Sequence, residues 1–86
     1  MAYNLLIKRQ AKKILQSLSR FDRNRITEKI VMLGINPDNP SLDIKSLKGT
    51  PFFRLRIGNW RVIYDRNDDV KVFAIEKIKP RGDAYK

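Results

Sequence analysis

The chain has 86 residues, enough for one domain spanning 1–86 with a single modest core. It contains no cysteine and no histidine, which removes disulfides, thiolate nucleophiles, zinc–thiolate sites and the commonest general base. Lys and Arg number 19 against 9 acids, a formal charge of +10 that favours a polyanionic partner, nucleic acid or a ribonucleoprotein first. No apolar run reaches transmembrane length and the N-terminus lacks the apolar stretch of a signal peptide, so the expectation is a soluble cytoplasmic protein with one basic face and no membrane partner.

Taken in order, Tyr3 to Ile7 is a short apolar-rich run that fits a first strand. From Lys8 to Leu18 the period changes: Ala11, Ile14, Leu15 and Leu18 recur at helical spacing, with Lys12, Lys13 and Gln16 on the solvated side. Ser19 or Asp22 can cap a second helix, whose apolar stripe is Ile26, Ile30 and Leu33 beside Val31 and Met32, and Gly34 is its expected stop. Two helices with so short a connection predict a helical hairpin packed on one face of a sheet.

From residue 35 to 51 the pattern dissolves. Asn36-Pro37 and Asn39-Pro40 are turn signals, and the stretch reads as a long loop from which Ser46-Leu47-Lys48-Gly49 leads the chain into the sheet. Arg54 to Tyr64 then reads as two strands around a Gly58-Asn59 turn, because two-residue hairpin loops need positive φ and these residues tolerate it. That loop fixes a register in which Ile57 faces Trp60, Arg56 faces Arg61, Leu55 faces Val62, Arg54 faces Ile63 and Phe53 faces Tyr64. The apolar partners fall on one side and Arg54, Arg56 and Arg61 on the other. Two guanidinium groups directly across a sheet repel one another. A chain that keeps such a pair is expected to use it to hold an anion.

Asp65-Arg66-Asn67-Asp68-Asp69 favours a turn. It partly imitates a calcium loop, but Val70 stands where such a loop needs glycine, so no metal site is expected. Val70 to Lys77 is apolar on both faces and is expected inside the sheet, with Phe73 and Ile75 beside Val62 and Trp60, and Val72 and Ala74 beside Ile63 and the arginines. The tail holds Lys79, Arg81 and Tyr85, which a fold over the face that carries Val72 and Ala74 brings towards Arg54, Arg56 and Arg61.

These residues resemble a known family. Leu47-Lys48-Gly49, then Arg54 through Tyr64, then Arg81-Gly82-Asp83-Ala84-Tyr85, are similar to the RelE/ParE superfamily of toxins from type II toxin–antitoxin systems. The resemblance implies an α+β domain of order β-α-α-β-β-β, the helical hairpin lying on a small, mainly antiparallel sheet. In the RelE-like branch it implies an endoribonuclease that needs no cofactor and cuts mRNA in the decoding site of the ribosome. In the ParE-like branch it implies an inhibitor of DNA gyrase without nuclease activity. A non-catalytic RNA-binding module is a further alternative. The resemblance also implies a cognate antitoxin protein.

By position Arg61 matches the family's strand arginine, and Arg81 and Tyr85 its tail residues. Catalytic roles thus fall to Arg61, Arg81, Tyr85 and Arg56, and RNA-binding roles to Arg54, Lys48 and Lys79. Arg54 and Arg56 stand where some RelE-like nucleases carry lysines. Arginine makes a poor general base, a deficit that Lys48 or Lys79 is placed to make good.

Overall fold

The structure is a computed structural model that describes residues 3–80. Its elements run β1 (Asn4–Ile7), α1 (Arg9–Ser17), α2 (Arg20–Ile35), β2 (Asp43–Ser46), β3 (Phe52–Ile57), β4 (Trp60–Asn67) and β5 (Val72–Pro80). The strands form one sheet of order β1-β5-β4-β3-β2. Only the β1–β5 pairing is parallel among these strands. The architecture is the expected α+β one, with β5 interior, and carries one strand more than β-α-α-β-β-β.

The helices follow from their stripes. Ala11 and Leu15 of α1, and Ile26, Ile30 and Leu33 of α2, enter a core with Leu55, Ile57, Val62, Tyr64, Phe73, Ile75 and Ile78. Ser19 caps α2, its hydroxyl accepting from the Asp22 backbone N–H at 3.3 Å. Gly34 does not stop α2: the helix continues to Ile35. Gly34 lies beside β1: its carbonyl accepts from Tyr3 N–H at 2.7 Å, and an added Cβ would be in ordinary contact with Leu5 Cδ2 at 3.4 Å. Neither helix is long and apolar enough to cross a membrane.

The stretch expected as a loop contains β2, an edge strand in which Ile44 pairs with Leu55, Lys45 with Arg54 and Asp43 with Arg56. The β3–β4 register is the predicted one throughout, from Phe53↔Tyr64 to Ile57↔Trp60. Gly58 supplies the positive φ of +57° at the first turn position, the pattern of a type II′ turn.

Strand β5 departs from the sequence reading. It begins at Val72 and runs to Pro80, because Asn67 accepts from the Asp69 and Val70 backbone N–H groups and holds those residues in the preceding turn. It also carries a bulge against Ile63/Tyr64: Tyr64 pairs with Ile75, but Ile63 pairs with Lys77, leaving Glu76 as the extra residue. Without that residue, strict alternation would send Lys77 and Lys79 into the core behind Phe73 and Ile75. With it, Ile78 is buried and the two lysines cross to the other face.

Candidate nucleic-acid interface

Opposed residues share a face, so the registers lay out the side of the sheet away from the helices row by row. Nearest the Gly58-Asn59 turn the row is Lys79, Arg61, Arg56 and Asp43 across β5, β4, β3 and β2. The next row is Lys77, Ile63, Arg54 and Lys45. Beyond it lie Ala74, Asp65 and Phe52. Six cations therefore occupy two rows that contain one carboxylate.

That carboxylate is already engaged. Arg54 Nη2 donates to Asp43 Oδ1 at 3.1 Å, with the Arg54 side chain 12% exposed. Among the described residues no carboxylate lies within ion-pair distance of Arg56 or Lys79. Arg61 is 3% exposed and is held by its surroundings rather than free. Cross-strand Cβ atoms sit roughly 5 Å apart, a spacing at which two guanidinium forks can share one phosphate.

The structure thus brings Arg54, Arg56, Arg61 and Lys79 together. It does not bring Lys48, which is exposed in the turn between β2 and β3, at the opposite end of β3 from Arg56. Arg81 and Tyr85 lie outside the described residues. Val72 and Ala74 sit one row or more further from the arginines than expected, because the bulge puts Lys77 beside Ile63 instead. Lys45 and Lys77 are face cations that the sequence reading missed. For Lys77 a signal exists: the three-residue step from Ile75 to Ile78 breaks the two-residue period, as an inserted residue must.

The other end of β4 has the opposite character. Arg66 shares the core face with Phe73. Its Nε donates to Asp68 Oδ1 at 2.7 Å and its Nη1 to Asp38 Oδ1 at 3.4 Å. Tyr3 Oη also donates to Asp68 Oδ1, at 2.9 Å, and the Tyr3 ring lies 4.5 Å from that of Phe73. The hydrogen bonds to Asp68 push the Arg66 pKa up, and the same contacts hold the Asp68 carboxyl below its ordinary value. Burial raises the Tyr64 hydroxyl to about 12. An open cleft of about 630 Å³ at this end is lined by Asp65, Arg66, Asn67, Asp68, Asp69 and Phe53. With three carboxylates in its wall, it is a poor receptor for phosphate.

A chain with this sheet, backed by helices and basic on its other side, has matches among known proteins. The family profile described as the ParE toxin of type II toxin–antitoxin system, parDE, matches residues 5–85. The chain belongs to the RelE/ParE superfamily of toxins. Among its members, a Methanocaldococcus jannaschii protein assigned as toxin RelE1 is 36% identical over 88 residues, covering 100% of this chain and 98% of the relative. The archaeal RelE–RelB complex from Pyrococcus horikoshii OT3 contains a chain 39% identical with a TM-score of 0.83, covering 98% of this chain and 100% of that one. A RelB–RelE antitoxin–toxin complex from Methanococcus jannaschii matches at 25% identity and a TM-score of 0.75, over 94% of this chain and 95% of that one. This superfamily member is thus a toxin component of a type II toxin–antitoxin system.

Proposed function

We propose that this toxin is a RelE-like, metal-independent endoribonuclease that cuts mRNA on the ribosome. The observation that supports the reading most is the Lys79–Arg61–Arg56 row, three register-matched cations on the face away from the helices. In the reaction the ribose 2′-oxygen forms a bond to phosphorus, the bond from phosphorus to the 5′-oxygen breaks, and a cyclic phosphate and a 5′-hydroxyl result. The 2′-proton must leave and the departing oxygen must gain one.

Arg56 and Arg61 are suited to the non-bridging oxygens, whose charge grows in the phosphorane, because preorganised forks cost little reorganisation. Arg54, already shared with Asp43, holds the neighbouring phosphate. Lys79 stands beside Arg61 on the neighbouring strand and is the group assigned as base to the 2′-hydroxyl. Lys48 is too far along the sheet to replace it. Arg81 is assigned to the leaving oxygen and Tyr85 to stacking on a base or to proton transfer. A ribosome that presents the messenger in a near-attack geometry supplies what so spare a set of groups lacks.

A cognate antitoxin completes the system. The P. horikoshii and M. jannaschii relatives are each described in complex with RelB. An acidic, partly disordered chain that folds over the basic face would neutralise this toxin.

The test is to map messenger 3′ ends after brief induction of wild type and Arg61→Ala. Codon-linked cuts that vanish in the variant are expected. Intact messenger together with cleaved supercoiled DNA would instead place the target at gyrase. Salt-sensitive RNA binding without growth arrest would leave only a binding module.

A further inference from the structure

The first turns of α2 carry a feature that the cleavage chemistry does not use. Phe21 is 69% exposed, and it sits in the sequence Arg20-Phe21-Asp22-Arg23-Asn24-Arg25. The Arg25 guanidinium lies 5.6 Å from the Phe21 ring centroid. The same guanidinium also packs against the β3–β4 turn: a Cβ added to Gly58 would meet Arg25 Nη2 at 3.0 Å. Gly58 therefore does two things, giving the turn its positive φ and leaving the space in which Arg25 rests.

The position of Arg25 is informative because acids were available to it. Asp22 and Glu28 lie three residues before and after it, at helical ion-pair spacing. Yet Arg25 has no ion pair among the described residues. It is spread between an aromatic ring and a bare turn. The turn it touches is the one that closes the Arg56–Arg61 pair. The Phe21–Arg25 unit thus stands at the end of the sheet where the cation row lies.

We propose that Phe21 and Arg25 form a second RNA contact, a stacking platform for one unpaired base with a guanidinium for its phosphate, placed around the Gly58 turn from the cleavage face. This rests on the RNA-directed reading above. An exposed ring among arginines suits a nucleotide, whose base is flat and whose backbone is anionic. A protein partner held by hydrophobic contact finds a better surface elsewhere. Val31 and Ile35 on α2 are 47% and 63% exposed, and Leu5 of the neighbouring edge strand 37%. Those side chains are flanked by Gly34, not by a cluster of arginines.

The experiment is fluorescence anisotropy with the purified toxin and a short labelled single-stranded 2′-O-methyl RNA, which has no free 2′-hydroxyl and is not cut. Phe21→Ala is expected to weaken binding about 5- to 100-fold, Phe21→Trp to restore it and Phe21→Leu to fail to restore it. Arg25→Gln is expected to weaken binding and lower the salt slope by about one. Melting temperatures should stay unchanged, since both residues are exposed. Wild-type affinity in Phe21→Ala, or full rescue by Phe21→Leu, overturns the platform. So does a Phe21→Ala defect confined to antitoxin binding. The two readings separate cleanly. Phe21-dependent RNA binding without messenger cleavage keeps the platform and removes the nuclease, whereas cleavage with RNA binding indifferent to Phe21 does the reverse.

Discussion

Arg61 and Arg66 lie five residues apart on β4 and face opposite ways. Arg66 points to the core side beside Phe73, and two carboxylates and a tyrosine ring close around it. Arg61 points to the side away from the helices, and its cross-strand neighbours are Arg56 and Lys79. Both side chains lose most of their contact with water, and a desolvated charge must be compensated. Around Arg66 the fold provides acids, and the arginine becomes a clamp joining the N-terminal Tyr3, the Asp38 loop and the β4–β5 turn. Around Arg61 the cross-strand neighbours are further cations, a grouping that suits an anionic ligand. The same residue type on the same strand thus serves stability at one end and, in the function proposed above, binding at the other.

The contrast can be pressed first at Arg56. Its replacement by alanine should lower single-turnover cleavage of ribosome-bound messenger by about 10²- to 10³-fold, as removal of one preorganised charge-stabilising donor does. Thermal unfolding of the same variant should be unchanged or slightly raised, because a repulsive cross-strand pair is gone. A cleavage loss accompanied by a large fall in melting temperature would place Arg56 in the structural class with Arg66.

The core side responds to alkali. The Tyr64 hydroxyl is raised from about 10 to about 12 in the folded protein, so the protonated native form is favoured. Its contribution is fully present below pH 10 and is lost as pH rises through the folded value, a change of roughly 2–3 kcal/mol. Urea unfolding from pH 9 to 12, compared with Tyr64→Phe, isolates this effect, and the two curves should diverge above pH 10.

Arg66→Ala should cost about 1 kcal/mol, since its ion pairs are partly solvated, and lower the melting temperature by roughly 4–8 °C without altering cleavage. Because Asp68 is held below its ordinary value, the stability that this pair adds is present above about pH 4 and falls away in more acid solution, which melting curves at low pH will show. The smallest effect is expected from Asp43→Asn. Freeing Arg54 from its 3.1 Å partner should strengthen RNA binding a few-fold and steepen its salt dependence by about one.

Much of the fold was legible in the sequence, and the parts that were not have physical causes. The hairpin register could be read because a two-residue turn and a period of two are local properties. The helical stripes could be read for the same reason. Strand β2 escaped notice because an edge strand of four residues with Ile44 as its one apolar member looks like a loop until β3 pairs with it. The bulge at Glu76 is a property of two strands together, and it decides on which face Lys77 and Lys79 emerge. Gln10 is equally non-local: where β1 ends, its Oε1 accepts from the Ile78 backbone N–H at 3.2 Å and replaces the missing strand partner. Arg66 was read only as part of a turn, because the acids that neutralise it come from sequence-distant Asp38 as well as nearby Asp68.

The most direct trial is a side-by-side measurement of single-turnover messenger cleavage and thermal unfolding for Arg61→Lys, Arg61→Ala and Arg66→Ala. The expected result is a loss of cleavage in both position-61 variants, deeper in the alanine, against near-normal cleavage and a lowered melting temperature for Arg66→Ala. Equal cleavage by all three proteins, or a loss at position 61 no greater than at position 66, would contradict the assignment of the face away from the helices as the site of chemistry.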